Sequence, residues 1–224
     1  MHSINIIYES DIEFFQNKLL SWFSENGRKF PWRIDSMTNY EIIISVVFLQ
    51  RTTAETVAKF LPIFFYRFPS WQQLGDASEE EIKSIIKPLG LCNQRGKRLL
   101  KLAEGFKKRI GQLAEERNRV EDISLMGQYL TNAYELYILK GKAPLLDVNM
   151  ARILERFFGE GKNSNINHDP YLQSLAYQVI NIELSKELNW AILDYAALIC
   201  KKLKPKCDVC ILKTSCIYKQ LKSP

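Results

Sequence analysis

Four of the five cysteines lie within seventeen residues near the C-terminus, with the spacing C-x6-C-x2-C-x5-C: Cys200, Cys207, Cys210 and Cys216. Four thiolates so close together repel one another and oxidise readily unless a metal holds them. Zinc usually takes paired C-x2-C knuckles. A single C-x2-C pair with longer arms on both sides suits a cubane cluster better. The pattern therefore predicts a metal centre and favours a [4Fe–4S] cluster. Cys92 stands apart and is interpreted as a buried apolar side chain.

This spacing resembles the cluster loop of the endonuclease III and adenine-mismatch glycosylase families. The resemblance extends upstream through NWAILDYAALIC at 189–200 and includes KPKC at 204–207. Further similar segments are Trp22-Phe23 with Arg28, FPWR at 30–33, FLQRTTA at 48–54, GLCNQR at 90–95 and PLLDVNMAR at 144–152. FLQRTTA and GLCNQR look most like the thymine–guanine mismatch branch. Nearly the whole chain is thus similar to the helix–hairpin–helix DNA glycosylases that carry an iron–sulfur cluster.

Asp147 lies in the segment that carries the essential aspartate of these families. Cleavage of an N-glycosidic bond builds positive charge on the sugar, as in glycoside hydrolysis. A carboxylate near C1′ stabilises that charge and orients the attacking water. From the residues alone, Asp147 is also the expected N-cap of a helix over 148–158. Both roles are compatible, because a cap holds the carboxylate rigidly.

The resemblance also implies residues that contact DNA. Arg51 occupies the position that fills the gap left by a flipped nucleotide, and a planar guanidinium replaces part of the lost stacking. The alternative is a surface arginine in a salt bridge. The remaining predicted contacts are Gln50, Gly127, Gln128, Lys201, Lys202, Lys204 and Lys206. The four lysines lie between Cys200 and Cys207, so a bound cluster would fix them for phosphate contact rather than leave a solvated basic tail.

Tyr129 aligns with the lysine of the bifunctional members of the superfamily. That lysine attacks the sugar, forms a Schiff base and leads to strand cleavage. A phenol cannot form a Schiff base, and Lys140 and Lys142 lie about three turns further on. We therefore expect the chain to remove a base and to leave the abasic strand intact. The relatives that have tyrosine here act on thymine or uracil opposite guanine.

Two departures from the family pattern affect the prediction. The hairpin of the relatives is Leu-Pro-Gly-x-Gly, whereas this chain has Ser124 for the proline and Leu125 for the first glycine, and keeps Gly127. Leucine resists positive φ, so the grip on phosphate is expected to be weakened or remodelled. The second departure is Val46, where the relatives have a glutamate that protonates a leaving adenine. Valine cannot act as an acid, which counts against adenine excision.

The elements that must position these residues are predicted to be helices. Apolar residues recur at i, i+3 and i+4 over most of the chain, and no convincing strand pair or repeat appears. The pattern predicts helices over 39–50, 53–66, 78–87, 93–109, 129–140, 148–158, 170–183 and 185–200, and another around Phe14–Phe23. Loops are predicted at 121–128 and 160–169. The tail after Cys200 contains two prolines and closely spaced Lys and Cys residues, and we expect it to be too irregular for a helix.

The composition is that of a folded protein with a polyanionic partner. The 224 residues are 46% hydrophobic and 25% charged, with a net charge of +6. A basic chain favours nucleic acid or an anionic membrane, although this signal alone is weak. No secretory signal and no spanning apolar run are apparent. We expect a cytoplasmic, nucleoid-associated monomer.

The resemblance implies an all-α, two-lobed helix–hairpin–helix glycosylase fold with a C-terminal iron–sulfur cluster loop. The expected lobes are 36–146, a helical barrel that ends in the hairpin, and 1–35 with 147–224. Double-stranded DNA would lie between them. The leading hypothesis is a monofunctional glycosylase that removes thymine, uracil or a related pyrimidine opposite guanine. The alternatives are an adenine-specific glycosylase, a non-catalytic lesion-binding protein of the same fold, and a bifunctional glycosylase–lyase, which Tyr129 disfavours.

Overall fold

The computed structural model describes residues 7–108, 123, 126–159 and 165–222. These residues form eleven α-helices and contain no β-strand, which confirms the all-α prediction. The chain divides into two compact units, Met1–Arg28 with Lys142–Pro224 and Lys29–Gly141. The predicted lobe boundaries at 35/36 and 146/147, and the identities given to the lobes, stay predictions. No helix within the described ranges is both long enough and apolar enough to cross a membrane.

The unit formed by the two ends of the chain contains five helices. They are α1 (Glu9–Asn26), α8 (Val148–Phe158), α9 (Pro170–Ile180), α10 (Ser185–Leu198) and α11 (Ile217–Lys222). The apolar faces of the first four meet in one core, in which Phe15 packs against Phe157 and Phe158, while α11 packs against α8. The Arg28 guanidinium and backbone N–H both bind the fully buried carboxylate of Asp194. A buried carboxylate requires such a partner, and this ion pair ties the end of α1 to α10.

The middle unit contains the other six helices. They are α2 (Asn39–Leu49), α3 (Ala54–Arg67), α4 (Trp71–Asp76), α5 (Glu79–Ile86), α6 (Cys92–Lys107) and α7 (Gln128–Tyr137). Helix α2 is apolar on nearly every side and lies in the core. Phe48 makes edge-on contacts with Phe60 and Phe64, and Trp71 stacks on Phe106 with ring centroids 4.2 Å apart. Thr38 and Glu41 form a capping box that starts α2.

Several sequence predictions need correction. The tail after Cys200 does contain a helix, α11, which packs against α8. Its six residues are too few for a periodic pattern to be recognised. Helix α4, equally short, was not predicted at all. Cys92 is only partly buried, because it lies at the exposed start of α6. Of the two predicted loops, 121–128 and 160–169, residues 121–122, 124–125 and 160–164 lie outside the described residues.

Candidate functional site

Asp147 is the N-cap of α8, as the sequence predicted. Its Oδ1 accepts hydrogen bonds from the backbone N–H groups of Asn149 and Met150 at 2.8 and 2.9 Å. Its Oδ2 accepts one from Nδ2 of Asn149 at 2.7 Å. The residue remains partly exposed. A negative charge is favoured at this end of a helix, so the cap fixes both the position and the charge of the carboxylate.

A chain of hydrogen bonds runs from Asp147 to the first cysteine of the C-terminal group. Asn149, bound to Asp147, accepts a hydrogen bond on Oδ1 from Nη1 of Arg152 at 3.1 Å. The same guanidinium donates from Nε to the carbonyl of Cys200 and from Nη2 to that of Ala196, both at 2.9 Å. Burial lowers the pKa of Arg152, with a further lowering from Arg156, while Cys200 and Asp147 oppose the shift. The carboxylate and the cysteine loop are therefore positioned by one shared arginine.

The four cysteines of the predicted metal centre are all partly buried. Together with Arg156 and Tyr218 they line one cavity. The fold thus brings together the four residues that the sequence singled out. Among the described residues, no group of three or more His, Cys, Asp and Glu side chains has the arrangement of a site for one metal ion.

Two of these cysteines accept hydrogen bonds on sulfur from neighbouring side chains. Arg156 directs Nη1 at Sγ of Cys200, 3.4 Å away, and the Tyr195 hydroxyl donates to Sγ of Cys210 at 3.2 Å. Burial raises the pKa of Cys200, and Arg156 opposes that shift. Burial also raises the pKa of Cys216, whose thiol donates to the Arg156 carbonyl. Thiols of this kind ionise when a metal binds them. Positive charge and donors around a four-cysteine set fit an iron–sulfur cluster.

Hydrogen bonds to backbone atoms hold the basic loop between Cys200 and Cys207 in place. Arg156 donates to the carbonyls of Lys201 and Lys202 at 2.8 and 3.2 Å. The Lys206 N–H donates to the Ile199 carbonyl at 3.0 Å. The loop includes Lys204 at φ 51°, and all four of its lysine side chains are exposed. They therefore face solvent from a fixed backbone, as phosphate contacts require.

Arg51 lies at the tip of a tight turn after α2. Gln50 has φ −66° and ψ 114°, Arg51 has φ 62°, and the Thr52 N–H reaches the Leu49 carbonyl at 3.5 Å. These values describe a type II turn with arginine where glycine is normally found. The Arg51 side chain is exposed. A strained residue that presents a long cation to solvent is a candidate for function.

Two arginines of α6 hold this turn from behind. Arg95, 8% exposed, donates to the Gln50 carbonyl at 2.8 Å and to Oγ1 of Thr52 at 2.6 Å. Arg98 donates to Oε1 of Gln50 at 2.8 Å. Arg95, Arg98 and Gln50 line an open pocket of about 300 Å³ together with Arg51. Burial lowers the pKa of Arg95, and the nearby charge of Arg51 lowers it further.

The hairpin residues are described only in part. Ser124 and Leu125, on which the predicted change in phosphate grip depends, lie outside the described residues. Gly127 has φ −68°, is exposed, and precedes α7, which begins with Gln128 and Tyr129. A Cβ at Gly127 would contact nothing within 4 Å. Gly127 is therefore not required by a left-handed backbone, and an added Cβ would meet open space.

The position of Val46 bears on acid catalysis. Val46 is 2% exposed within α2. Glu41, the acidic residue of the same helix, is engaged in the capping box, where its Oε2 accepts from the N–H and Oγ1–H of Thr38 at 2.8 Å. Neither residue supplies a free acid.

The site residues fall in both units. Asp147, the cysteines and the lysines belong to the unit formed by the chain ends, while Arg51, Gln50, Gly127, Gln128 and Tyr129 belong to the middle unit. Sequence reasoning assigned no role to Arg95, Arg152 or Arg156. Arg152 and Arg156 were detectable in principle, since their i, i+4 spacing after Asp147 puts them on one face of α8.

Comparison with known proteins is consistent with the resemblance. The family model described as HhH-GPD superfamily base excision DNA repair protein matches residues 44–175. A thymine-DNA glycosylase of Aeropyrum pernix is 33% identical over 212 residues, which cover 92% of this chain and 95% of that protein. A thymine/uracil-DNA glycosylase of Pyrobaculum aerophilum is 34% identical over 212 residues, 92% of each chain. The solved structure of a thermostable thymine-DNA glycosylase matches with a TM-score of 0.86 and 30% identity, covering 95% of this chain and 98% of that one.

Proposed function

Because the chain belongs to the HhH-GPD superfamily of base excision DNA repair proteins, and is therefore a DNA N-glycosylase, we propose that it removes thymine or uracil paired with guanine. The substrate is double-stranded DNA that contains the mismatch, bound by one copy of the chain. The product is an abasic site in an intact strand. The similarity to thymine and thymine/uracil glycosylases over nearly the whole chain supports this specificity.

The observation that carries the choice of base is the apolar residue at position 46. Adenine is a poor leaving group unless an acid protonates it. Val46 is buried and has no proton to give, and Glu41 is held by Thr38. Thymine and uracil leave as stabilised anions and depend less on an acid. A pyrimidine opposite guanine is therefore the substrate that this chain suits best.

Asp147 carries the chemistry in this proposal. As the base departs, positive charge grows on the sugar, and the carboxylate at the N-terminus of α8 stabilises it. The two backbone N–H groups and the Asn149 amide hold the carboxylate oxygens in place. A pre-positioned charge needs no reorganisation when the transition state forms, which is the main source of its effect. Water then completes the hydrolysis at C1′.

The proposal excludes a covalent lyase step at Tyr129. The side chain at the start of α7 is a phenol, which cannot form a Schiff base with the sugar. Base release should therefore leave an alkali-sensitive but unbroken strand.

A [4Fe–4S] cluster is part of the proposal. Cys200, Cys207, Cys210 and Cys216 would hold it, and they line one cavity with Arg156. When bound, the cluster supplies cross-links that stabilise the cysteine loop. Arg156 then fixes the carbonyls of Lys201 and Lys202, so their side chains meet DNA phosphates from a rigid loop. Arg51 fills the space of the extruded nucleotide.

The test is base release from labelled duplexes that carry guanine–thymine, guanine–uracil or guanine–adenine pairs, each analysed with and without alkali. We expect strand breaks at thymine or uracil only after alkali. Breaks without alkali would contradict the monofunctional assignment. Release of adenine in preference to the pyrimidines would overturn the assigned base.

A further inference from the structure

Arg95 is a buried cation of the middle unit, with 8% of its surface exposed. Its guanidinium is buried, yet it forms no ion pair with a carboxylate of the described residues. It binds neutral oxygens instead: Nη2 donates to the carbonyl of Gln50 and to Oγ1 of Thr52, and Nη1 donates to the carbonyl of Leu89 at 3.0 Å. Arg95 therefore joins two turns that are distant in sequence.

Both of these turns contain a residue with an unfavourable backbone. Arg51 has φ 62° in the first turn and Leu91 has φ 52° in the second, and neither is glycine. Both side chains are exposed, with Leu91 49% exposed despite being apolar. Strained residues of this kind persist only where surrounding contacts determine their conformation. The same guanidinium holds the carbonyl of Gln50, which directly precedes Arg51, and the carbonyl of Leu89, two residues before Leu91.

The charge distribution around Arg95 does not favour the folded state on its own. Arg51, Arg95 and Arg98 line one pocket, and none of the described residues that line it carries a carboxylate. Burying one guanidinium beside another is costly. A chain that only needed to join two turns would do so more readily with a neutral side chain. The arrangement instead suits a surface that receives an anionic partner with hydrogen-bond acceptors, such as a DNA strand.

We propose that Arg95 is a positioning residue for nucleotide extrusion. It holds the turns at 49–52 and 89–91 in one rigid arrangement, so that Arg51 enters the duplex without first having to be ordered. This inference rests on the proposed function, in which Arg51 occupies the space of the extruded nucleotide. A positioning role predicts an effect on rate that a purely structural arginine would not have. If Arg51 were displaced by about 1 Å, the rate of base release would fall roughly 100-fold.

The first test compares Arg95→Ala and Arg95→Lys with a destabilised control from the same helix. Leu102 is fully buried in α6 and, being apolar, holds neither turn by a hydrogen bond, so Leu102→Ala lowers stability and keeps the bonds of Arg95. We expect hydrogen exchange to accelerate in peptides spanning 49–52 and 89–91 in Arg95→Ala only. Lysine lacks the forked donors and should restore part of the protection. Unchanged exchange in both turns, or equal acceleration in Leu102→Ala, would overturn the proposal.

The second test is a double-mutant cycle in single-turnover release of uracil opposite guanine. Arg95→Ala should lower the rate by about 100-fold in the wild-type chain. In an Arg51→Ala background it should have little further effect, because the residue it positions is gone. If the two losses multiply, Arg95 acts independently of Arg51 and the proposal fails.

Failure of the proposed function would give a different result. A wild-type chain that releases neither thymine nor uracil contradicts the base assignment, while hydrogen exchange still decides whether Arg95 orders the turns. Affinity for a duplex with a tetrahydrofuran abasic analogue opposite guanine provides the functional readout in that case. Arg95→Ala should weaken that affinity more than Leu102→Ala does. Equal affinities for the two variants would overturn the role of Arg95 in extrusion.

Discussion

The positive φ of Arg51 lowers the stability of the fold, whereas its side chain is proposed to promote base release, and these two effects can be measured separately. Two substitutions, Arg51→Ala and Arg51→Gly, both remove the guanidinium and its repulsion with Arg95. They differ in how well they tolerate φ 62°. A side chain with Cβ costs about 1–2 kcal/mol in the left-handed region. Glycine avoids this cost but loses about 0.5–1 kcal/mol through the greater freedom of the unfolded chain. The balance favours glycine by about 0.5–1 kcal/mol.

For a chain of this size, a difference of 1 kcal/mol shifts Tm by about 2–4 °C. We therefore expect Arg51→Gly to melt a few degrees above Arg51→Ala in differential scanning calorimetry. Both should release thymine or uracil more slowly, by tenfold for each 1.4 kcal/mol of stacking that the guanidinium had replaced. Equal melting temperatures would refute the strain argument. Wild-type rates in both variants would refute the role of Arg51 in extrusion.

Three further predictions concern the cysteine loop and the hairpin. The purified protein should contain iron and acid-labile sulfide in equal amounts, and Cys207→Ser should lower both, as colorimetric assays would measure. Replacing a loop lysine that contacts phosphate with glutamine should reduce the slope of log K against log salt by about 0.9, because one fewer counterion is released. Gly127→Ala should leave Tm nearly unchanged and weaken DNA binding, because the added methyl group meets open space in the free chain. The lysines to be tested singly are Lys201, Lys202, Lys204 and Lys206.

Each of these predictions has a clear contrary outcome. Zinc in place of iron would replace the proposed cluster with a different metal centre. The exposed Lys59 of α3 serves as the control for the loop lysines, and an equal slope change in Lys59→Gln would remove any special role for the loop. A large fall in Tm for Gly127→Ala would mean that the glycine serves the fold instead of the ligand.

Much of the fold was predictable because the apolar residues of each long helix repeat at helical spacing. All nine predicted segments coincide with helices, although most of their ends differ by a few residues from the structure. The N-cap at Asp147 was also predictable, since it depends on local sequence alone. The short helices α4 and α11 were not, because six residues hold less than two turns of pattern.

The supporting arginines were less accessible to sequence reasoning. Arg95 binds the carbonyl of Gln50, and Arg152 binds the carbonyl of Cys200; the partners lie 45 and 48 residues away in sequence. The acceptors are backbone carbonyls, which every residue has, so the amino-acid type at the accepting position does not reveal the interaction in the sequence. A long, flexible side chain also reaches several turns of the fold. Only the tertiary arrangement shows which carbonyls each guanidinium holds.

The central claim is that the charge of Asp147, and not its capping bonds, drives base excision. It is tested most directly by comparing Asp147→Asn and Asp147→Ala in single-turnover base release and in thermal unfolding. Asparagine keeps an oxygen for the N–H groups of Asn149 and Met150, whereas alanine loses the cap at a cost of about 1 kcal/mol. We predict a Tm near wild type for Asn, a lower Tm for Ala, and a rate loss of at least about 100-fold in both. Substantial base release by Asp147→Asn would contradict the account.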